Sequence, residues 1–349
     1  MENYTSDSSD SDTSGGKTLD LSYLMLYPAV LNEYFLGAKN PEHVETLLLH
    51  QNRLDHLPPS INRFSSLHSL DLSNCGLTRL PDDLGDCPLM CLIAKNNNLR
   101  NESLPKSLEN LPYLRELNLS GNRLTEFPEQ VLDLASLKYL YLGGNAITEI
   151  AKDVWKLQRL QVLSMGGNGL TEVPSTVGLL TALQALVLCD NKLESLPSSI
   201  ANLKNLKSLL LHKNCLRTLP TEIITLKCLT ELSLRDNPLV VRFVSDMTHN
   251  PPSLLELAAR VVKTNEIHYD KTNVPRNLID YLNSAHRCVN PKCKGVFFDN
   301  RVEHVKFVDF CGKYRLPLLQ YLCSSKCIGP REGDEEMVSG AMIRKVLLG

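Results

Sequence analysis

Four of the eleven cysteines stand in two close pairs, Cys288-x4-Cys293 and Cys323-x3-Cys327, with 29 residues between the pairs. Soft thiolates presented two at a time by turns are what a tetrahedral zinc ion requires, and Pro291 and Gly295 suit a tight knuckle. Four protein ligands would leave no open coordination position, so the metal expected is structural rather than catalytic. Cys311 is left over; it reads as a buried thiol that could replace one ligand, and His286 and His304 are weaker substitutes. The competing reading is a set of ordinary reduced thiols in a β-rich segment. Paired cysteines favour metal over disulfide in reducing surroundings. The polar, acidic stretch at 1–16 does not read as a signal peptide, and no apolar run reaches the length of a membrane span. The expected compartment is therefore the cytoplasm or nucleus.

No catalytic constellation accompanies these thiols. The histidines are scattered, and neither G-x-S-x-G nor H-E-x-x-H occurs. The glycine-rich runs at 143–145 and 166–170 fall at repeat turns, which argues against a phosphate loop. With 37 basic and 39 acidic residues the formal charge is −2, which gives no reason to expect a nucleic-acid or membrane partner. A hydrophobic share of 43% is enough for one or two sizeable cores. The expectation is a binding protein, not an enzyme.

The elements that must position these groups are repetitive. From about 44 to 240 the pattern L-x-x-L-x-L-x-x-N-x-L recurs, followed by x-x-L-P-x-x-[LI]. Its Asn position is filled by Asn52, Cys75, Asn97, Asn122, Asn145, Asn168, Asn191, Asn214 and Asn237, at spacings of 22 to 25 residues. Leu57-Pro58, Leu80-Pro81 and Leu196-Pro197 carry the second half; Ile150-Ala151 departs from it. This resembles the leucine-rich repeat, and it implies an α/β solenoid, a horseshoe of about nine repeats. Each repeat would offer a short strand with two inward leucines and an Asn turned in to satisfy backbone groups, so that stacking alone makes the core.

The expected organisation is a disordered tail over 1–16, a cap over 17–43 with a short helical element near 19–36, and repeats with their closing cap over 44–252. Helices follow over 253–283, then a ribbon-like cysteine module over 284–330 and a linker and tail over 331–349. Strand alternation gives the outward residues of the concave face. Among them Tyr139, Tyr141, Val162, Val187 and Leu210 are apolar, with His212 beside them, and Gly143 and Gly166 leave room. An apolar stripe rimmed by polar groups reads as a site for a target protein. The alternative is a surface covered by a tail, loop or helix of this same chain.

After Pro251-Pro252, Ser253 can cap a helix whose Leu254, Leu257, Ala258 and Val261 share one face. The bland reading is a helix that closes the open end of the solenoid. The run S-L-x-x-x-A-x-x-x-V is, however, similar to the elongin-binding box of SOCS-box and VHL-box proteins. That resemblance implies that Leu254 fills a pocket on elongin C, that Ala258 permits close approach, and that Val262 is a second anchor. Downstream, Ile267-His268-Tyr269 and Val274-Pro275-Arg276-Asn277-Leu278 resemble the cullin box of the Fem family of substrate receptors. It implies that Pro275, Leu278, Tyr281 and Leu282 face a cullin. Thr272-Asn273 stands where a cullin-five box prefers Leu-Pro, which favours cullin two. The resemblance thus implies a non-enzymatic receptor linking a target to elongin B/C and a cullin–RING ubiquitin ligase. The alternative, implied by resemblance to the Shoc and Scribble groups, is an intracellular signalling scaffold for a small GTPase or phosphatase.

Overall fold

In each repeat the L-x-L segment forms a three-residue strand that buries its central residue, as Leu117 does in Glu116–Asn118, and Leu119 follows it into the core. The Leu-Pro step then ends extended and leads into a single 3-10 turn, such as Glu129–Asp133 after Pro128, closed by a buried aliphatic, here Val131. Proline presets the extended cap, but it is not required: Ala151 takes a comparable conformation, φ −54° and ψ 134°, before Lys152–Lys156.

The structure, a computed structural model, describes residues 17–239, 252–310 and 314–328. The tail expected at 1–16, the linker and tail over 331–349, and Cys311 lie outside the described residues. The chain forms two compact units, 1–168 and 169–349, so the division falls inside the repeats.

The first unit opens with β1 (Lys17–Asp20) and α1 (Pro28–Gly37). The single helical element expected near 19–36 is thus a strand followed by a helix. Lys17–Asp20 pairs in parallel with the first repeat strand, and Pro28, lacking an N–H, starts the helix where it stands. Leu31 and Phe35 of α1 are buried, and Phe35 meets Phe64 edge-on at 4.9 Å. Strands β2 (Val44–Leu48), β3 (Ser69–Asp71), β4 (Cys91–Ile93), β5 (Glu116–Asn118), β6 (Tyr139–Tyr141) and β7 (Val162–Ser164) follow in parallel and in sequence order.

Asparagine side chains bind successive repeats. Asn122 Nδ2 donates to Leu119 O of its own turn at 2.9 Å and to Ala94 O of the preceding repeat at 3.0 Å. Its Oδ1 accepts the amide of Leu99 at 3.0 Å. Cys75 replaces this only in part, its Sγ donating to Leu49 O at 3.1 Å. The residue before each ladder position is left-handed: Asn74, Asn96 and Lys213 at φ 55°, Gly144 at 65° and Gly167 at 67°. The glycine-rich runs are therefore repeat turns. Gly121 is required twice over, by φ 68° and because a Cβ there would lie 2.2 Å from Asn96 Oδ1.

In the second unit β8 (Ala185–Val187), β9 (Ser208–Leu210) and β11 (Glu231–Ser233) continue the same pattern, while β10 (Leu219–Pro220) is the Leu-Pro step of its repeat. Two helices come next, α2 (Leu254–Thr264) and α3 (Arg276–Asn283). A small ladder of β12 (His286–Arg287) and β13 (Val296–Phe297) precedes a long hairpin, β14 (Val302–Phe310) with β15 (Tyr314–Leu322). β15 also pairs in parallel with β10, Leu219 opposite Leu318. The hairpin is thereby grafted onto a repeat of this unit.

The ladder can be tested directly. Asn122→Ala leaves the buried Leu99 amide without its acceptor and takes one of two donors from the carbonyls of Ala94 and Leu119, so it is expected to cost about 1–3 kcal/mol. A lowered urea midpoint should report this, while Asn98→Ala, which removes one solvent-side hydrogen bond to Gly76 O, should change it less.

Candidate functional site

The hairpin and the small ladder bring the two cysteine pairs together. Cys288 leaves β12 and Gly295 enters β13, with the Cys288 amide donating to Gly295 O at 2.9 Å. The knuckle between them is closed by Asn290, whose carbonyl accepts the Cys293 amide at 2.9 Å. Asn290 Nδ2 donates across to Cys327 O at 2.8 Å. Cys323 follows β15, and Cys327 ends the 3-10 turn Ser325–Cys327. The four sulfurs lie within 4.8 Å of one another. Cys293 Sγ is 3.5 Å and Cys327 Sγ 3.6 Å from Cys323 Sγ.

A tetrahedron with sulfur about 2.3 Å from its centre has edges of about 3.8 Å, so this spacing suits a metal ion. It is far beyond a disulfide bond of about 2.05 Å. The Gly295 amide donates to Cys293 Sγ at 3.2 Å, and a Cβ at Gly295 would lie 2.7 Å from Cys323 Sγ. Burial, and then hydrogen bonding with the three other thiols, pushes the Cys323 thiol far up. Four crowded thiolates need a cation, and the donor set is soft and complete. Neither His286 nor His304 joins this group; His286 stacks on Phe297 at 5.6 Å.

Beside the cluster, α2 is turned the unusual way round. Ser253 caps it by accepting the Glu256 amide at 3.1 Å. Leu254 is 85% exposed, and Leu257, Ala258 and Val261 are exposed with it. The inward face carries charge: Glu256, only 2% exposed, accepts from Arg260 Nε at 3.1 Å and Nη2 at 2.5 Å, and from the amides of Phe298 at 3.2 Å and Asn300 at 2.9 Å. Burial raises the Glu256 pKa, but Arg260 and the two amides outweigh it and hold the carboxyl below its ordinary value. Arg260 also donates to Cys323 O at 2.8 Å and Asn300 O at 2.5 Å. Glu256 and Arg260 carry this arrangement, and the sequence reading did not single them out. The signal was there in Ser253-x-x-Glu256 and in a Glu and Arg four residues apart opposite the leucines.

The helices correct the sequence reading in detail. α2 packs on β13, with Ala259, Leu282, Val296 and Phe298 as a small core. Val262 is half-buried against that core, so the outward aliphatic at this end is Val261. Leu282 is buried, and Tyr281 stacks on Phe298 at 4.7 Å, because α3 has no other apolar face to bury. Pro275 is exposed and Leu278 half-exposed. Lys263 Nζ donates to the Tyr269 hydroxyl at 2.7 Å, and that hydroxyl donates to Asn283 Oδ1 at 3.0 Å, tying the two helices together.

On the repeat strands of the first unit Tyr139, Tyr141 and Val162 alternate with buried Leu140 and Leu163, with Tyr139 opposite Val162. The Tyr139 hydroxyl donates to Gln161 Oε1 at 3.2 Å. In the second unit Val187 lies opposite Leu210. Nearby His212 Nδ1 and Ser233 Oγ are buried without a hydrogen-bond partner. Burial pushes the thiols of Cys75, Cys87 and Cys91 up to about 11, so they are poor nucleophiles.

A Xenopus laevis protein named leucine-rich repeat-containing protein 58 is 59% identical over 347 residues, covering 97% of this chain and 98% of its own. A Homo sapiens protein of the same name is 69% identical over 284 residues, covering 80% and 76%. The chain belongs to the leucine-rich repeat-containing protein 58 family. The leucine-rich repeat region family matches residues 121–209 and 152–284, and a leucine-rich repeat matches 66–87. A crystal structure of a TDR receptor is similar with TM-score 0.57 and 28% identity, over 63% of this chain and 41% of that one. PEPR1-AtPEP1 is similar with TM-score 0.52 and 27% identity, over 63% and 32%. These relatives place the chain among leucine-rich-repeat scaffolds that bind proteins, and the members of its own family carry no enzyme name. No helix among the described residues is long and apolar enough to cross a membrane.

Breaking the clasp should be costly. Glu256→Ala leaves the part-buried Arg260 guanidinium with carbonyl acceptors but no carboxylate, a loss of at most roughly 3–5 kcal/mol. Amide exchange over 254–264 should accelerate while the repeat strands over 116–164 keep their protection.

Proposed function

We propose that this protein is a non-enzymatic substrate receptor of an elongin B/C cullin–RING ubiquitin ligase. The observation that carries the reading is the outward apolar face of α2, led by Leu254 at 85% exposure, on a helix whose charged face is turned inward. A soluble helix normally does the reverse. An exposed leucine with Ala258 one turn away fits helix-in-groove recognition, in which Leu254 enters an apolar pocket of elongin C and Ala258 lets the helices approach. Burying one leucine contributes roughly 1.5–3 kcal/mol before association costs. Val261 takes the second-anchor role that the motif assigned to Val262, because it is the aliphatic residue that faces out. Pro275 and Leu278 are the residues of the cullin-box segment left accessible, and Thr272-Asn273 favours cullin two over cullin five.

The target protein is held on the repeat strands, with Tyr139, Tyr141 and Val162 in one unit and Val187, Leu210 and His212 in the other as contact residues. The receptor then raises the target's effective concentration at the ligase, and needs no catalytic group of its own. Cys288, Cys293, Cys323 and Cys327 hold a structural zinc ion that folds the module carrying α2. Reduced thiol ligands and this partner set support a cytoplasmic or nuclear location.

Wild-type protein is expected to co-purify elongin B/C, and Leu254→Asp with Ala258→Asp to lose it while thermal unfolding of the repeats is unchanged. Equal recovery by both forms, or by neither, refutes the adaptor reading. Elemental analysis should find about one zinc per chain, and Cys288→Ser with Cys327→Ser should abolish it. A folded, metal-free wild type would defeat the zinc assignment.

A further inference from the structure

The Arg260 side chain connects the thiol cluster to the outward helix. Cys323 sits at the middle of the cluster, its Sγ near those of Cys293 and Cys327 and its amide donating to Cys288 Sγ at 3.5 Å. Its carbonyl accepts from Arg260 Nη1 at 2.8 Å. The same guanidinium holds Asn300 O and the buried Glu256 carboxylate, and Glu256 holds the amides of Phe298 and Asn300. Apolar support on this side of α2 is slight: Ala259 is its buried apolar residue, with Val262 half-buried. An eleven-residue helix is marginal in water without packing, and the larger apolar side chains of this one point to solvent. Its pose therefore depends on the polar clasp, and the clasp depends on where Cys323 is held.

We infer that metal binding at Cys288, Cys293, Cys323 and Cys327 controls whether α2 presents its docking face, through the Cys323 carbonyl and Arg260. For its consequence, metal-dependent partner capture, this rests on the adaptor reading of α2; the helix response itself does not. When zinc is withdrawn into a chelator, the four thiolates take up protons and no cation holds the sulfurs together. The Cys323 carbonyl moves, Arg260 loses an acceptor, and the buried Glu256–Arg260 pair loses part of the network that compensates its desolvation. The helix then loosens while the Asn-bridged repeats do not. Arg260 is a positioning residue here; it touches neither metal nor partner.

The test uses the full chain, loaded with zinc alone, stripped with a chelator and reloaded. Hydrogen exchange over 254–264 is expected to accelerate at least about ten-fold on stripping and to recover on reloading, with strands over 116–164 unchanged. Arg260→Ala is expected to keep about one zinc per chain, to exchange fast in α2 from the start, and to show no further response to the chelator. A purely structural arginine would leave that response intact. Unchanged α2 protection on stripping, a full chelator response in Arg260→Ala, or equal loss of protection in the repeats overturns the inference. Elongin B/C capture is read alongside. Failure of capture by the zinc-loaded wild type sinks the adaptor reading alone, and zinc-independent exchange with intact capture sinks this inference alone.

Discussion

No repeat of this chain can bury its own leucines or satisfy its own turn, and that constraint organises everything built on it. The Asn side chain is the physical answer to the second half of the problem. Asn214 Nδ2 bonds the carbonyls of Leu211 in its own turn and Leu188 one repeat back, at 3.0 and 2.9 Å, while its Oδ1 takes the amide of Leu193. Each turn is therefore completed by its neighbour, and the left-handed residue ahead of each Asn aims the amide inward. Stability in such an array is close to a sum of neighbour terms, so surfaces can vary while the interior does not. Tyr139 and Tyr141 in the first unit, and Val187 and Leu210 in the second, stand at outward strand positions of this kind.

The C-terminal part solves a different problem. It is too small to rely on a large core, and its buried apolar residues fall into small groups: Ala259, Leu282, Val296 and Phe298 in one cluster, Cys288, Val302 and Leu322 in another, with Phe297, Val305, Leu316 and Leu318 along the strands. Three other devices supplement them. Pairing of Leu318 and Leu319 with Leu219 and Pro220 borrows the repeat array as a foundation. The four thiols stand close enough together for a metal ion to cross-link them. The Glu256–Arg260 network ties α2 to the loop after β13 and to Cys323. A buried ion pair is a conditional fastener, strong only while every member is satisfied. That conditionality lets α2 keep its leucines outward and still be held.

A binding role fits both parts. The thiols of Cys75, Cys87 and Cys91 lie with pKa values pushed up by burial, away from nucleophilic use, and the thiols that do gather are suited to closing a metal site rather than opening one. Membership of the leucine-rich repeat-containing protein 58 family agrees with a scaffold that holds proteins. What distinguishes this chain from a plain repeat array is an exposed leucine on a helix anchored by its charges.

By itself the sequence determined whatever depends on spacing: the repeat register, the buried and outward strand positions, the ladder asparagines, and the pairing of cysteines into one cluster. These follow from fixed geometry, a period of two along a strand and about twenty-three between turns. The tertiary structure alone decided which side of each helix meets the protein. A helical wheel separates Leu254, Ala258 and Val261 from Glu256 and Arg260, and the ordinary rule would have buried the leucines. The rule gave way because the carboxylate found the amides of Phe298 and Asn300, forty-two and forty-four residues away, and the arginine found Cys323 O at sixty-three. Long-range packing likewise turned Val262, Tyr281 and Leu282 inward, and separately, pairing with Val44–Leu48 made a strand of Lys17–Asp20. Local sequence carries no record of partners so distant, so only the folded chain could assign those faces.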